Sequence, residues 1–124
     1  MLDLEPFEKL DRVIHERGRL AIMSLLATTE RLTFTELRET LGLTDGNLSV
    51  HLRKLEAHGY LVVDKQFVDR KPRSEYALTP EGRAAFADYI QALEVIVRQA
   101  QPDGEQASTL PAGGRLKPGL AGSG

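Results

Sequence analysis

TFTELRETLGLTDGNLSVHLRKLEAHG, residues 33–59, carries two apolar stripes separated by a glycine. Thr33 followed three residues later by Glu36 is a capping box: hydroxyl and carboxylate each satisfy the other residue's free amide. Phe34, Leu37 and Leu41 then recur at i, i+3 and i+7, which predicts a helix of about two turns with one buried face. Gly42 suits the left-handed stop of that helix, and Leu43 can pin the connection to a core. Thr44 and Asp45 are both able to cap a second helix, expected to run to about His58. Its buried stripe is Leu48, Leu52 and Leu55, and Gly59 ends it. Two short helices, each burying one stripe and joined by a tight glycine turn, are the layout of a helix-turn-helix.

Beyond Gly59 the period changes. Residues 60–68, YLVVDKQFV, are rich in β-branched and aromatic side chains and read as a strand. Asp69 to Arg73 reads as a polar turn, and Ser74 to Leu78 as a second short strand. Together they predict a hairpin whose tip, 65–73, carries Lys65, Arg70, Lys71 and Arg73. Thr79-Pro80-Glu81 opens a last helix with a cap, a proline at the first helical position and an acid at the positive end of the dipole. Phe86, Tyr89, Ile90, Leu93 and Val97 carry its apolar period to about Ala100.

Upstream, Phe7, Leu10, Val13 and Ile14 predict a first helix over Glu5 to His15. Leu20, Met23, Leu25, Leu26 and Ala27 predict a second, apolar on most sides and therefore central, with Gly18 near the join. Residues 101–124 turn to Gly, Pro, Ser and Ala with no period, which predicts a disordered tail behind a domain of residues 1–100.

The 124 residues are 41% hydrophobic, enough for one packed domain. Cysteine is absent, which removes disulfides, thiolate metal sites and thiol nucleophiles. The start of the chain is acidic and no apolar run approaches a bilayer span of roughly 20 residues, so a cytoplasmic location is expected. No nucleophile elbow, phosphate-cradling glycine loop or metal-spaced histidine pair is present, so neither catalytic nor metal residues nor a cofactor are expected. Net charge is −2, but residues 44–73 hold six Lys/Arg against four Asp/Glu, so the basic excess is concentrated there.

The order helix, helix, short helix, turn, helix, hairpin, helix is that of a winged helix-turn-helix, a mainly α fold with a small β-hairpin. Residues 43–61, LTDGNLSVHLRKLEAHGYL, resemble the recognition-helix signature of the ArsR and MarR superfamilies of bacterial regulators. Residues 78–83, LTPEGR, are similar to the junction that follows the wing in MarR-like proteins. The resemblance covers about residues 7–98. It implies a sequence-specific regulator of transcription that binds double-stranded DNA, more readily a repressor than an activator, and dimerises through its terminal helices. ArsR-type metal sensing would need cysteine, or acidic and histidine ligands on the last helix; this chain has no cysteine and no histidine there. It therefore looks like a compact MarR-like domain.

In such a fold the face opposite Leu48, Leu52 and Leu55 enters the major groove. At about 100° per residue that face presents Gly46, Val50, Arg53 and Ala57, flanked by Asn47, Ser49 and Lys54. Asn47 suits adenine, Arg53 guanine and Val50 a thymine methyl, while Ser49 and the helix start with Thr44 suit phosphate. His51 lies near the buried edge, as a packing or phosphate-contacting residue. Arg70, Lys71 and Arg73 of the wing would contact phosphate or enter a minor groove. The expected dimer interface is Phe7, Leu10, Ile14, Phe86, Tyr89, Ile90, Leu93 and Val97, with Phe7, Leu10 or Tyr89 as alternative lining for an effector crevice of unknown ligand. The competing reading is a winged helix that binds protein, which would place apolar residues where Asn47, Ser49, Arg53 and Lys54 stand.

Overall fold

A computed structural model describes residues 2–101. Five helices and three strands follow in the order α1 (Glu5–Glu8), α2 (Arg17–Thr28), β1 (Leu32–Thr33), α3 (Phe34–Leu41), α4 (Asp45–Ala57), β2 (Leu61–Val68), β3 (Lys71–Leu78) and α5 (Pro80–Ala100). The tail expected over residues 101–124 lies, beyond Gln101, outside the described residues. The strands form one antiparallel sheet in the order β1-β3-β2. Ile14, Ile22, Met23, Leu26, Leu37, Leu48, Leu52, Leu55, Leu61, Leu78 and Tyr89 make its single buried core.

Local chemistry sets the boundaries where the sequence places them. Thr33 Oγ1 accepts from the Glu36 amide at 3.1 Å, and Glu36 Oε1 accepts from the Thr33 amide at 2.8 Å. The Thr33 amide first, then the Thr33 hydroxyl, hold the Glu36 carboxyl below its ordinary pKa. Gly42 stops α3 at φ 68°. Gly59, at φ 77°, ends α4 in a Schellman turn, its amide bonding to Glu56 and that of Tyr60 to Leu55.

Three expectations change. The first helix stops at Glu8, because Asp11 captures the chain: its Oδ1 accepts from the amides of Val13 (2.8 Å) and Ile14 (3.1 Å), a local bond that competes with the helical ladder. Val13 and Ile14 enter the core from this turn, not from a helix face. The hairpin gains a third strand, since Leu32 and Thr33 pair with Tyr76 and Glu75. The wing turn is also shorter than expected. Only Asp69 and Arg70 are unpaired, and Lys71, Pro72 and Arg73 already belong to β3.

The base of the wing is a backbone clasp. Thr79 donates through its amide to the Tyr60 carbonyl (3.0 Å) and through its hydroxyl to that of Gly59 (2.5 Å). The same hydroxyl accepts from the Gly82 amide and so caps α5. Gly82 lies directly on the Tyr60 carbonyl, and a Cβ there would overlap it. The Tyr60 hydroxyl reaches across to donate to Asp11; burial first, then this bond and the carboxylate charge, push its pKa up to about 12.

Gly82→Ala should therefore cost about 2 kcal/mol, lowering Tm by about 10 °C. Gly46→Ala, which meets nothing within 4 Å, should leave Tm unchanged or slightly raised. Thermal unfolding of both variants checks this; a Gly82→Ala protein that melts like the parent would show that the clasp yields.

Candidate nucleic-acid interface

Helix α4 is held by its leucines. Leu48, Leu52 and Leu55 are at most 2% exposed, so the rotation of the helix about its axis is fixed. Thr44 caps it, accepting from the Asn47 amide at 3.1 Å. Arg38 of α3 donates to Asp45 at 2.9 Å and ties the two helices of the motif together; this bond and the carboxylate charge raise the already high pKa of the guanidinium. Asn47, Val50, Arg53 and Lys54 are exposed on the solvent side, Val50 by 52%, and Ser49 is half-buried. Nothing stands within 4 Å of where a Gly46 side chain would begin, so this end of the helix is open to close approach.

Side chains alternate along a strand, and opposite residues of a pair share a face. The register therefore puts Leu61, Val63, Lys65 and Phe67 of β2 on one face with Leu78, Tyr76, Ser74 and Pro72 of β3. This is the face toward α4: Ser49, Leu52, Arg53, Glu56, Val63, Lys65 and Tyr76 line a small cleft between helix and wing. Arg53 and Lys65 bring two positive charges to the cleft against Glu56. Burial, followed by the Glu56 charge, raises the Tyr76 pKa.

Thr44, Asn47, Ser49, Val50, Arg53 and Lys54 thus lie along one exposed side of α4 or at its start. His51 does not join them. Its ring packs over Gly18 at the start of α2, where Arg19 Nη1 donates to its Nδ1 at 3.3 Å and Glu16 Oε1 lies 3.6 Å away. It is a joint between α4 and α2, as its position near the leucine stripe allowed. Burial works against ionisation of Glu16, yet amide bonds from Arg19 and Gly18 and the nearby His51 and Arg19 hold its carboxyl below the ordinary range. Arg70 and Lys71 are exposed at the wing tip. Arg73 sits on the far face of the hairpin, its Nε 3.3 Å from Glu75, so its charge is partly neutralised. Lys65 and Phe67 fall within the expected wing, 65–73, but were not singled out; alternation counted from Leu61 places both on the α4 side.

The expected interface set also divides. Ile14 and Tyr89 are buried within the single chain, and the Tyr89 hydroxyl and His15 Nδ1 share a hydrogen bond of 2.7 Å. Neither has surface left for a partner or an effector. Phe7 (43% exposed) and Val97 (52%) are open, with Leu10, Phe86, Ile90 and Leu93 half-buried. At about 100° per residue Phe86, Ile90, Leu93 and Val97 fall on one stripe of α5, beside the stripe that enters the core. Phe7 and Leu10 line a shallow surface hollow with Glu8, Arg12 and His15. Among the described residues no group of three or more His, Asp or Glu is gathered to hold a metal ion, and no helix is long and apolar enough to cross a membrane.

A family model for the winged helix DNA-binding domain matches residues 19–97, from the first turn of α2 to the last turns of α5. The chain belongs to the winged helix DNA-binding domain family. It is 40% identical over 79 residues to the uncharacterized protein MJ0432 of Methanocaldococcus jannaschii, covering 64% of this chain and 86% of that one. It is 43% identical over 54 residues to the transcriptional regulator Rv3488 of Mycobacterium tuberculosis, covering 44% of this chain and 50% of the relative. Among solved structures, a transcriptional regulator homologue from Pyrococcus horikoshii OT3 superposes with a TM-score of 0.72 at 27% identity, over 77% of this chain and 96% of that one. A MarR-family regulator from Enterococcus faecalis V583 superposes with a TM-score of 0.62 at 25% identity, over 89% and 96%.

The wing turn of this winged helix has a testable peculiarity. Asp69 (φ 53°) and Arg70 (φ 67°) both occupy the left-handed region, the signature of a two-residue turn that ordinarily takes Asn-Gly. Arg70→Gly should relieve about 1 kcal/mol of backbone cost while weakening DNA binding severalfold through loss of one cation. Opposite movement of Tm and affinity is the expected result; a fall in both would mean that Arg70 supports the fold.

Proposed function

We infer that this DNA-binding transcriptional regulator acts as a homodimer, sets the exposed side of α4 into successive major grooves of a near-palindromic site, and represses by occupying a promoter. The observation that carries the reading is the fixed rotation of α4. Burial of Leu48, Leu52 and Leu55 leaves Asn47, Val50, Arg53 and Lys54 outward, beside a wing bearing Lys65, Arg70 and Lys71. Arg53 is assigned to guanine, Asn47 to adenine and Val50 to a thymine methyl. Thr44, Ser49, Lys54 and the wing cations are assigned to the backbone. The mode of action is occupancy of DNA, without catalysis, in the cytoplasm.

Dimerisation rests on the apolar stripe of α5 and the exposed Leu4 (62%), Phe7 and Val97, which lie on the first residues described and on α5. The start of the chain lies on α5, where Asp3 and Gln99 exchange two hydrogen bonds of 2.6 and 3.0 Å. A two-fold pairing of α5 and the segment that lies on it would cover the stripe and double the basic surface. Sedimentation should give twice 13.7 kDa, and Val97→Glu should give the monomer.

The functional test is titration of promoter fragments, including the gene's own upstream region, over a salt series. Selective binding that weakens steeply with salt, and about tenfold or more loss of affinity and selectivity in Arg53→Ala, is expected. Equal weak binding to every fragment, or full selectivity in Arg53→Ala, would overturn the assignment.

A further inference from the structure

The wing carries a side chain that neither folding nor charge explains. Phe67 is 78% exposed, the most open large apolar residue among those described, and stands near the tip of the hairpin. Its neighbours along the same face show why it is free. Leu61 is buried at the base, Val63 is half-buried, Lys65 is exposed at the cleft rim, and by Phe67 the strand has run past everything it could pack on. The residue opposite is Pro72. The other exposed apolar wing residues, Val62 and Val68, project from the far face by alternation, and Pro72 borders an open cleft with Thr33, Phe34 and Glu36 at the start of α3, so at the wing tip the apolar area on this face is Phe67 with the edge of Pro72.

A partner protein is recognised through a contiguous apolar area rimmed by polar groups. Here the apolar area is two side chains with cations on either side: Lys65 lies two positions before Phe67 on its face, and Arg70 stands in the turn beyond it beside Asp69, while Lys71 starts the far face opposite Val68. Apolar side chains flanked by cations suit the minor groove of a duplex, where phenylalanine and proline can act as wedges between base steps while Lys and Arg hold the phosphates on either side. The face that carries the pair is also the face turned toward α4, so it follows the duplex that α4 would occupy.

We propose that Phe67 and Pro72 form an apolar wedge that enters the minor groove flanking the α4 site, partly unstacks one base step and bends the duplex. The proposal rests on the DNA-binding reading above and adds a deformation to it. Flexible pyrimidine–purine steps would be favoured under the wing, at positions no side chain reads by hydrogen bonding. Pro72 fits this use because it lacks an N–H and stands on a part of β3 that β1, paired only at Glu75 and Tyr76, does not cover.

The test uses the full chain and a duplex that it selects from a random-sequence pool, with 2-aminopurine placed at successive positions flanking the selected site. Wild type should raise the fluorescence of one flanking position and bend the duplex in a permuted-fragment gel assay. Phe67→Ala should lose both signals and about tenfold in affinity, with an unchanged salt slope because no phosphate contact is removed. Phe67→Leu should retain part of each signal. Lys71→Ala should behave the opposite way, flattening the salt slope and keeping the fluorescence signal. A melting curve for Phe67→Ala like that of wild type is expected from its exposure. If wild type selects and binds a duplex but Phe67→Ala binds and bends it equally, the wedge is wrong and the DNA reading stands. If wild type selects no duplex, both fall.

Discussion

Gly59–Tyr60 and Thr79–Gly82 meet backbone against backbone, and α4 and the wing, the parts proposed to face DNA, hang from that contact. Gly59 closes α4, Tyr60 leads into β2, Thr79 leaves β3 and caps α5, and Gly82 lets α5 lie on the Tyr60 carbonyl without a Cβ between them. One junction thus sets the end of the recognition helix, both roots of the wing and the start of the last helix. Tyr60 adds a tether to Asp11, which organises the turn that brings Val13 and Ile14 into the core. The angle between recognition helix and wing therefore follows from close backbone packing, which a single methyl group would disturb.

With that angle set, the leucine stripe of α4 decides what is left outside. Three leucines at i, i+4 and i+7 admit one rotation of the helix. The polar face that results needs no special stabilisation of its own, so its residues are free to serve recognition. His51 shows the limit of this freedom. One step nearer the stripe, it is drawn into packing with Gly18, Arg19 and Glu16, and so connects α4 to α2.

Much of this was legible in the sequence because it depends on local chemistry. The Thr33–Glu36 box, the Gly42 and Gly59 stops and the Thr79-Pro80-Glu81 start are rules about a few consecutive residues, and each stands where its letters put it. The misses share a different cause. Asp11 overrides an apolar period by bonding its own backbone, β1 exists only because β3 passes beside it, and Ile14 and Tyr89 are core residues for reasons of tertiary placement. In the wing, composition suggested a five-residue basic turn, whereas the ladder extends to Lys71 and leaves two residues at positive φ. That register is what separates Arg73 from Lys65 and Phe67, and no count of basic residues reveals it.

The most direct measurement of the central claim is a hydroxyl-radical footprint of the full chain on a selected duplex. Two recognition helices on a two-fold axis predict two protected backbone segments about one helical turn apart on one face of the DNA, each bordered by protection of the adjoining minor groove under a wing. A footprint of one unbroken stretch without that spacing, or no protection at concentrations where the chain is folded, would contradict the account.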